Sequence, residues 1–234
     1  MRSPERADVR QVRAILFDAG GTLIHVDGQR VCRAAGVGYD SGVFRLAEAG
    51  AVSAVRKLVL EKPESRDSER IPLYLTEMLS GLGVTDPAGR REAAVRVAAE
   101  HQRLNLWTRG ADRAVETLEA LRGRGYRLAC VSNADGRVRA LLEGAGLAPL
   151  LEFVVDSFEA GVEKPNPRIF HMASDRLAIP PAECAYVGDI YEIDVVGAEA
   201  AGMTALLIGD GPAPDGVRRV ADLPSLLKVF TGIA

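Results

Sequence analysis

The sequence predicts an α/β fold, a buried parallel sheet with helices between its strands and a helical segment inserted after the first strand. Three observations carry that prediction. Short apolar runs recur along the 234-residue chain at 14–17, 128–131, 153–155, 185–187 and 205–208. Stretches of helical period separate most of them. One long interval, from Asp27 to about Thr108, holds helical patterns and no strand pattern. Runs apolar on both faces and alternating with helices belong to parallel sheets buried between helical layers.

The first run, within "AILFDAGGTLI", climbs to Asp18 and then turns on Gly20, Gly21 and Thr22. The interval after it contains "VFRLAEAGAVSAVRKLVLEK" and "RREAAVRVAAEHQRLNLW", both amphipathic, separated by the polar "PESRDSER". These are the helices of an inserted subdomain over 27–108, with hinges near 25–29 and 107–110. The remainder, 1–26 with 109–234, forms the core domain. In 111–124, Ala114, Val115, Leu118 and Leu121 share a helix face, and in 137–146 Val138, Leu141 and Leu142 do so. Asn166-Pro167 opens a further helix, with Asn at the cap and Pro in the first helical position.

Composition narrows the function. Apolar residues make up 47% of the chain, as in ordinary globular proteins, and the formal net charge is −3. That charge gives no broad positive field for nucleic acid or an anionic membrane surface. "MRSPERADVRQVR" lacks the apolar core of a signal peptide, and no apolar run is long enough to span a bilayer. Cys32, Cys130 and Cys184 are odd in number and far apart, without metal-type spacing. They are expected to be buried free thiols of a cytoplasmic protein.

Open α/β sheets bind ligands at the carboxyl ends of their strands. Here those ends carry Asp18, Ser132-Asn133 and Gly188-Asp189, and Lys164 sits in a loop just before a helix. Two carboxylates, a hydroxyl and an ammonium suit metal-assisted chemistry on a phosphate. Each has a plainer alternative. Asn133 and Asp135 can cap the helix near Arg137, Asp194 can cap the helix running to Ala201, and Lys164 can be a solvated loop residue.

The four segments in order resemble the haloacid dehalogenase superfamily, in its branch with a helical cap after the first motif. "ILFDAGGT" stands for that family's first motif, "CVSNAD" for its second, "EKPNPRIF" for its third and "GDIYEID" for its fourth. The resemblance implies a Rossmann-like core and a small phosphorylated substrate. It implies that Asp18 is the nucleophile and forms an aspartyl-phosphate. Mg²⁺ is expected on Asp18, Asp189 and the main-chain carbonyl of Gly20. Ser132, Asn133 and Lys164 would hold the phosphoryl group, with Asp194 orienting Lys164 from behind.

One position departs from the pattern. Phosphatases of this family carry a second aspartate two residues after the nucleophile, where this chain has Gly20. That acid protonates the leaving alkoxide and then activates water, help worth about 10²–10⁴-fold, or about 3–5 kcal/mol. Three readings follow: a phosphohydrolase with a substitute acid/base (His25, Asp27 or a cap residue) or a good leaving group; a metal-free dehalogenase-type hydrolase; or a binding protein on a retired scaffold.

Overall fold

The structure is a computed structural model that describes residues 9–233. The charged start of the chain, through Asp8, lies outside the described residues. Among the described residues the strands are β1 (Ala14–Phe17), β2 (Ile24–Val26), β3 (Trp107–Gly110), β4 (Arg127–Ser132), β5 (Val154–Asp156), β6 (Cys184–Gly188), β7 (Thr204–Ile208) and β8 (Arg219–Val220). Six of them form one parallel sheet in the order β5-β4-β1-β6-β7-β8. The predicted α/β architecture is thus the observed one, with β1 near the middle.

The described chain divides into two compact units, one of residues through His25 with those from Gly110 onward, the other Val26–Arg109. The second unit holds α1 (Gly28–Ala35), α2 (Ser41–Glu61), α3 (Asp67–Gly81) and α4 (Pro87–Arg103). Asp40 caps α2 by accepting from the N–H groups of Gly42 and Val43. Phe44, Ala47, Ala51, Val55 and Val59 then recur along one face of α2 and are buried. Helix α3 begins inside "PESRDSER", which the sequence reads as a separator. Asp67 and Glu69 in its first turn face the positive end of the helix dipole.

The first unit holds α5 (Ala114–Gly123), α6 (Val138–Gly144), α7 (Ser157–Ala160), α8 (Pro167–Leu177), α9 (Val196–Ala200) and α10 (Leu226–Val229). In α5 the buried set is Ala114, Thr117, Leu118 and Leu121, with Val115 only half-buried. Asn166 caps α8 as expected, accepting from the Arg168 N–H at 3.0 Å. One face of the sheet buries Leu16, Ala129, Val131 and Tyr186 against Phe170 and Leu177 of α8 and Ala198 of α9. Burial of this kind supplies the main driving force for folding, and it leaves the strand ends as the polar edge.

The interval expected to lack strands contains the first half of β3, and β2 pairs with that strand. Both lie where the chain passes between the two units. All three cysteines are buried free thiols. Among the described residues no helix is long and apolar enough to cross a membrane.

Candidate active site

The order β4-β1-β6 brings the carboxyl ends of three neighbouring strands together, and with them Ser132, Asp18 and Asp189. Asp18 follows β1 directly, its N–H donating to the Val187 carbonyl of β6 at 2.9 Å. The chain then folds back tightly, the Leu23 and Ile24 N–H groups donating to the Ala19 carbonyl at 2.8 and 2.9 Å. Gly21 makes that turn with φ +80°, and a Cβ there would come within 2.3 Å of Asp189 Oδ2. Gly21 is therefore fixed as glycine by both conformation and space. Gly20 is not among the residues with positive φ.

Lys164 is buried, with 2% of its surface exposed, so the solvated-loop alternative fails. Its Nζ donates to Asp18 Oδ1 at 2.6 Å, to Asp194 Oδ1 at 2.7 Å and to Tyr186 Oη at 2.8 Å. The main chain of Lys164 is held as well. Asn133 Oδ1 accepts its N–H at 2.8 Å, and Asn133 Nδ2 donates to its carbonyl at 3.1 Å. The Asn133 side chain is thus turned to Lys164 rather than capping α6, which has no side-chain cap. Asp135 pairs instead with Arg137. Ser132 is buried, and its Oγ donates to the Asn133 carbonyl at 3.3 Å.

Asp194 lies on a π-helical turn, Tyr191–Val195, and its Oδ2 accepts the Ile190 N–H at 2.9 Å. It does not cap the helix running to Ala201. Asp27 accepts from the Arg30 N–H at 3.1 Å and caps α1. His25 lines a cavity of about 190 Å³ with Gly21, Thr22, Ile208 and Asp222.

Asp18, Asp189 and Asp194 each place a carboxylate oxygen within 4.8 Å of the other two. Burial raises the pKa of Asp18 to about 6, with Asp194 adding to the rise and Lys164 opposing it. Burial, followed by Asp194 and Asp18, drives the pKa of Asp189 well above the ordinary carboxylate range. Burial alone would lower the pKa of Lys164, but Asp18 and Asp194 outweigh it and hold the ammonium charged. Ionising all three carboxylates beside one ammonium would leave two negative charges uncompensated, so burial and mutual repulsion hold Asp18 and Asp189 toward their protonated forms in the absence of a cation. The donors are hard oxygens, and a hard divalent cation fits both the charge and the donor set.

Tyr186 was not among the residues singled out by the sequence, where it reads as one more member of an apolar strand. The signal was present, because a tyrosine inside a buried strand must find a partner for its hydroxyl.

A family model for haloacid dehalogenase-like hydrolases matches residues 12–202. Haloacid dehalogenase-like hydrolase domain-containing protein 3 of Bos taurus is 42% identical over 123 residues, half of this chain and 49% of that protein. The chain therefore aligns with about half the length of this relative. The glyceraldehyde 3-phosphate phosphatase of Methanopyrus kandleri is 30% identical over 222 residues, 87% of each chain. Among solved structures, a dehalogenase superposes with a TM-score of 0.66 at 25% identity, covering 94% of this chain and 97% of that one. Together with the parallel sheet and the carboxylate–lysine cluster at its edge, these matches show that the chain belongs to the haloacid dehalogenase-like hydrolases.

Proposed function

We propose that the protein is a Mg²⁺-dependent phosphohydrolase that acts on a small phosphorylated metabolite through an aspartyl-phosphate on Asp18. The observation that carries this reading is the contact of Lys164 with Asp18 Oδ1 inside a cluster of three carboxylates. Lys164 fixes one oxygen of Asp18 and leaves Oδ2 to meet phosphorus. Asp18, Asp189 and the Gly20 carbonyl would hold Mg²⁺, which when bound neutralises charge between nucleophile and phosphate. Ser132 Oγ and the main-chain N–H of Asn133 would bond the phosphoryl oxygens, since the Asn133 amide already serves Lys164. The similarity to a glyceraldehyde 3-phosphate phosphatase over most of both chains supports a phosphate ester as substrate.

Gly20 shapes the chemistry that remains. Without an acid at this position, substrates whose leaving groups depart unprotonated are favoured, acyl and aryl phosphates above alkyl ones. Asp27 already caps a helix, which weakens its claim to be the substitute acid. The similarity to a dehalogenase keeps a second reading in view, attack of Asp18 on carbon without metal. The clustering of Asp189 and Asp194 with Asp18, more carboxylates than one ammonium balances when ionised, argues against it.

A panel of phosphate esters tests the proposal. Activity should require Mg²⁺, vanish in EDTA and Asp18→Asn, and fall steeply from acyl and aryl to alkyl phosphates. Undiminished turnover of 2-haloacids in chelator would overturn it.

A further inference from the structure

We infer that Tyr186 is a positioning residue for the proposed reaction, its hydroxyl fixing the Lys164 ammonium so that Lys164 directs Asp18. The inference rests on the phosphohydrolase reading for its kinetic consequence and on geometry alone for the anchor. A lysine ammonium has three protons and no acceptor. Lys164 places them on Asp18, Asp194 and Tyr186, at 2.6, 2.7 and 2.8 Å. The two carboxylates supply charge, and the tyrosine supplies the third direction.

The sense of the tyrosine bonds is fixed by inventory. Tyr186 Oη lies 2.8 Å from the Val131 carbonyl oxygen, which can only accept. Lys164 can only donate. The single hydroxyl proton therefore goes to Val131, and a lone pair faces the ammonium. Asp194 Oδ1, at 3.4 Å, is the longer alternative for that proton.

The surroundings hold the ring. Tyr186 of β6 is paired with Leu16 of β1, which is paired with Ala129 of β4. Its side chain thus reaches across the central strand to Val131, the residue before Ser132. It is wholly buried, and Phe170 meets its ring edge-on at a centroid distance of 4.8 Å. Tyr186 consequently ties three parts of the proposed machinery together: the strand end that carries Ser132, the lysine, and the strand that carries Asp189.

The chain has only four lysines, Lys57, Lys62, Lys164 and Lys228. The side chains of Lys57 and Lys62 are 76% and 45% exposed, and Lys228 is exposed. A ¹⁵N-lysine NMR spectrum should therefore show one slowly exchanging ammonium, that of Lys164. Tyr186→Phe keeps the ring and should keep the fold, while speeding that exchange by about ten-fold or more, as expected when a buried donor loses its acceptor. With phosphate esters, kcat should fall by about ten-fold with KM within about two-fold. In a Lys164→Met background the same change should have no further effect, because Tyr186 acts through Lys164. Equal losses in both backgrounds would mark a merely structural role and overturn the inference. So would the absence of a protected ammonium in the wild type, or unaltered exchange in a folded Tyr186→Phe protein. Failure of the phosphohydrolase reading would show as inactivity of the wild type and leave the NMR measurement decisive for the anchor.

Discussion

Gly20 and Gly21 are neighbours with opposite constraints. Gly21 carries φ +80° and backs directly onto Asp189, so any side chain there would push the carboxylate out of place. Gly20 has no such backbone requirement. An aspartate at position 20 therefore meets no left-handed strain, and Gly20→Asp should fold normally. It should raise kcat on alkyl phosphates by about 10²-fold and much less on acyl phosphates, which need no acid. Steady-state rates on matched alkyl and acyl substrates check this. A folded Gly20→Asp protein with no gain on any phosphate ester would count against the phosphohydrolase reading. Most residues of the proposed site were legible one by one. Asp18, Ser132, Lys164, Asp189 and Asp194 stand at strand ends or in ordered motifs. What the sequence could not show was the direction of each side chain. Asn133 reaches a main chain 31 residues away, and Tyr186 reaches across a strand.

Helices and strands of the inserted segment are held by contacts of a different kind. Arg30 of α1 donates to Glu100 Oε1 of α4 at 2.9 Å, and to the carbonyls of Leu104 and Asn105 at 2.6 and 2.8 Å. It also reaches Thr108 Oγ1 in β3 at 3.3 Å. One guanidinium thus joins the first helix, the end of the fourth and the strand that leads out of the unit. Hydrogen bonds from Arg103 and then Arg30 hold the Glu100 carboxyl at about 2, well below its ordinary range. A depressed carboxylate stabilises the fold above its unfolded value, and that contribution is lost as pH falls toward the folded one. Thermal melts should accordingly show Glu100→Gln less stable than wild type at pH 6, the gap closing between about pH 4.5 and 2. A gap independent of pH would contradict this assignment. Strand β3 escaped the sequence reading because it offers little apolar pattern. Its residues Trp107–Gly110 are half-buried or exposed. Helix α1 escaped it for its shortness beside an expected hinge.

At the scale of the molecule, the parallel sheet does the arranging. Strands β4, β1 and β6 are adjacent, although 109 residues separate the end of β1 from the start of β4 in a fold expected from its apolar runs. The sheet was legible because wholly buried strands must be largely apolar along their length, as β1, β6 and β7 are apart from the Tyr186 hydroxyl and Thr204. Its edge strand β8, two residues long, carried no such signal. The arrangement places the Asp18 carboxylate against one lysine, beside two further carboxylates. Under the proposed function its central consequence is a covalent phosphoryl group on Asp18. If hydrolysis of that intermediate lacks its base at Gly20, the intermediate should accumulate and product should appear in a burst. The most direct measurement is acid quenching of the Mg²⁺-loaded protein during turnover of p-nitrophenyl phosphate, followed by peptide mass spectrometry. One phosphoryl group is expected on the peptide containing Asp18, and none in Asp18→Asn. Sustained turnover with no phosphoryl group on Asp18, or with the group on another residue, would contradict it.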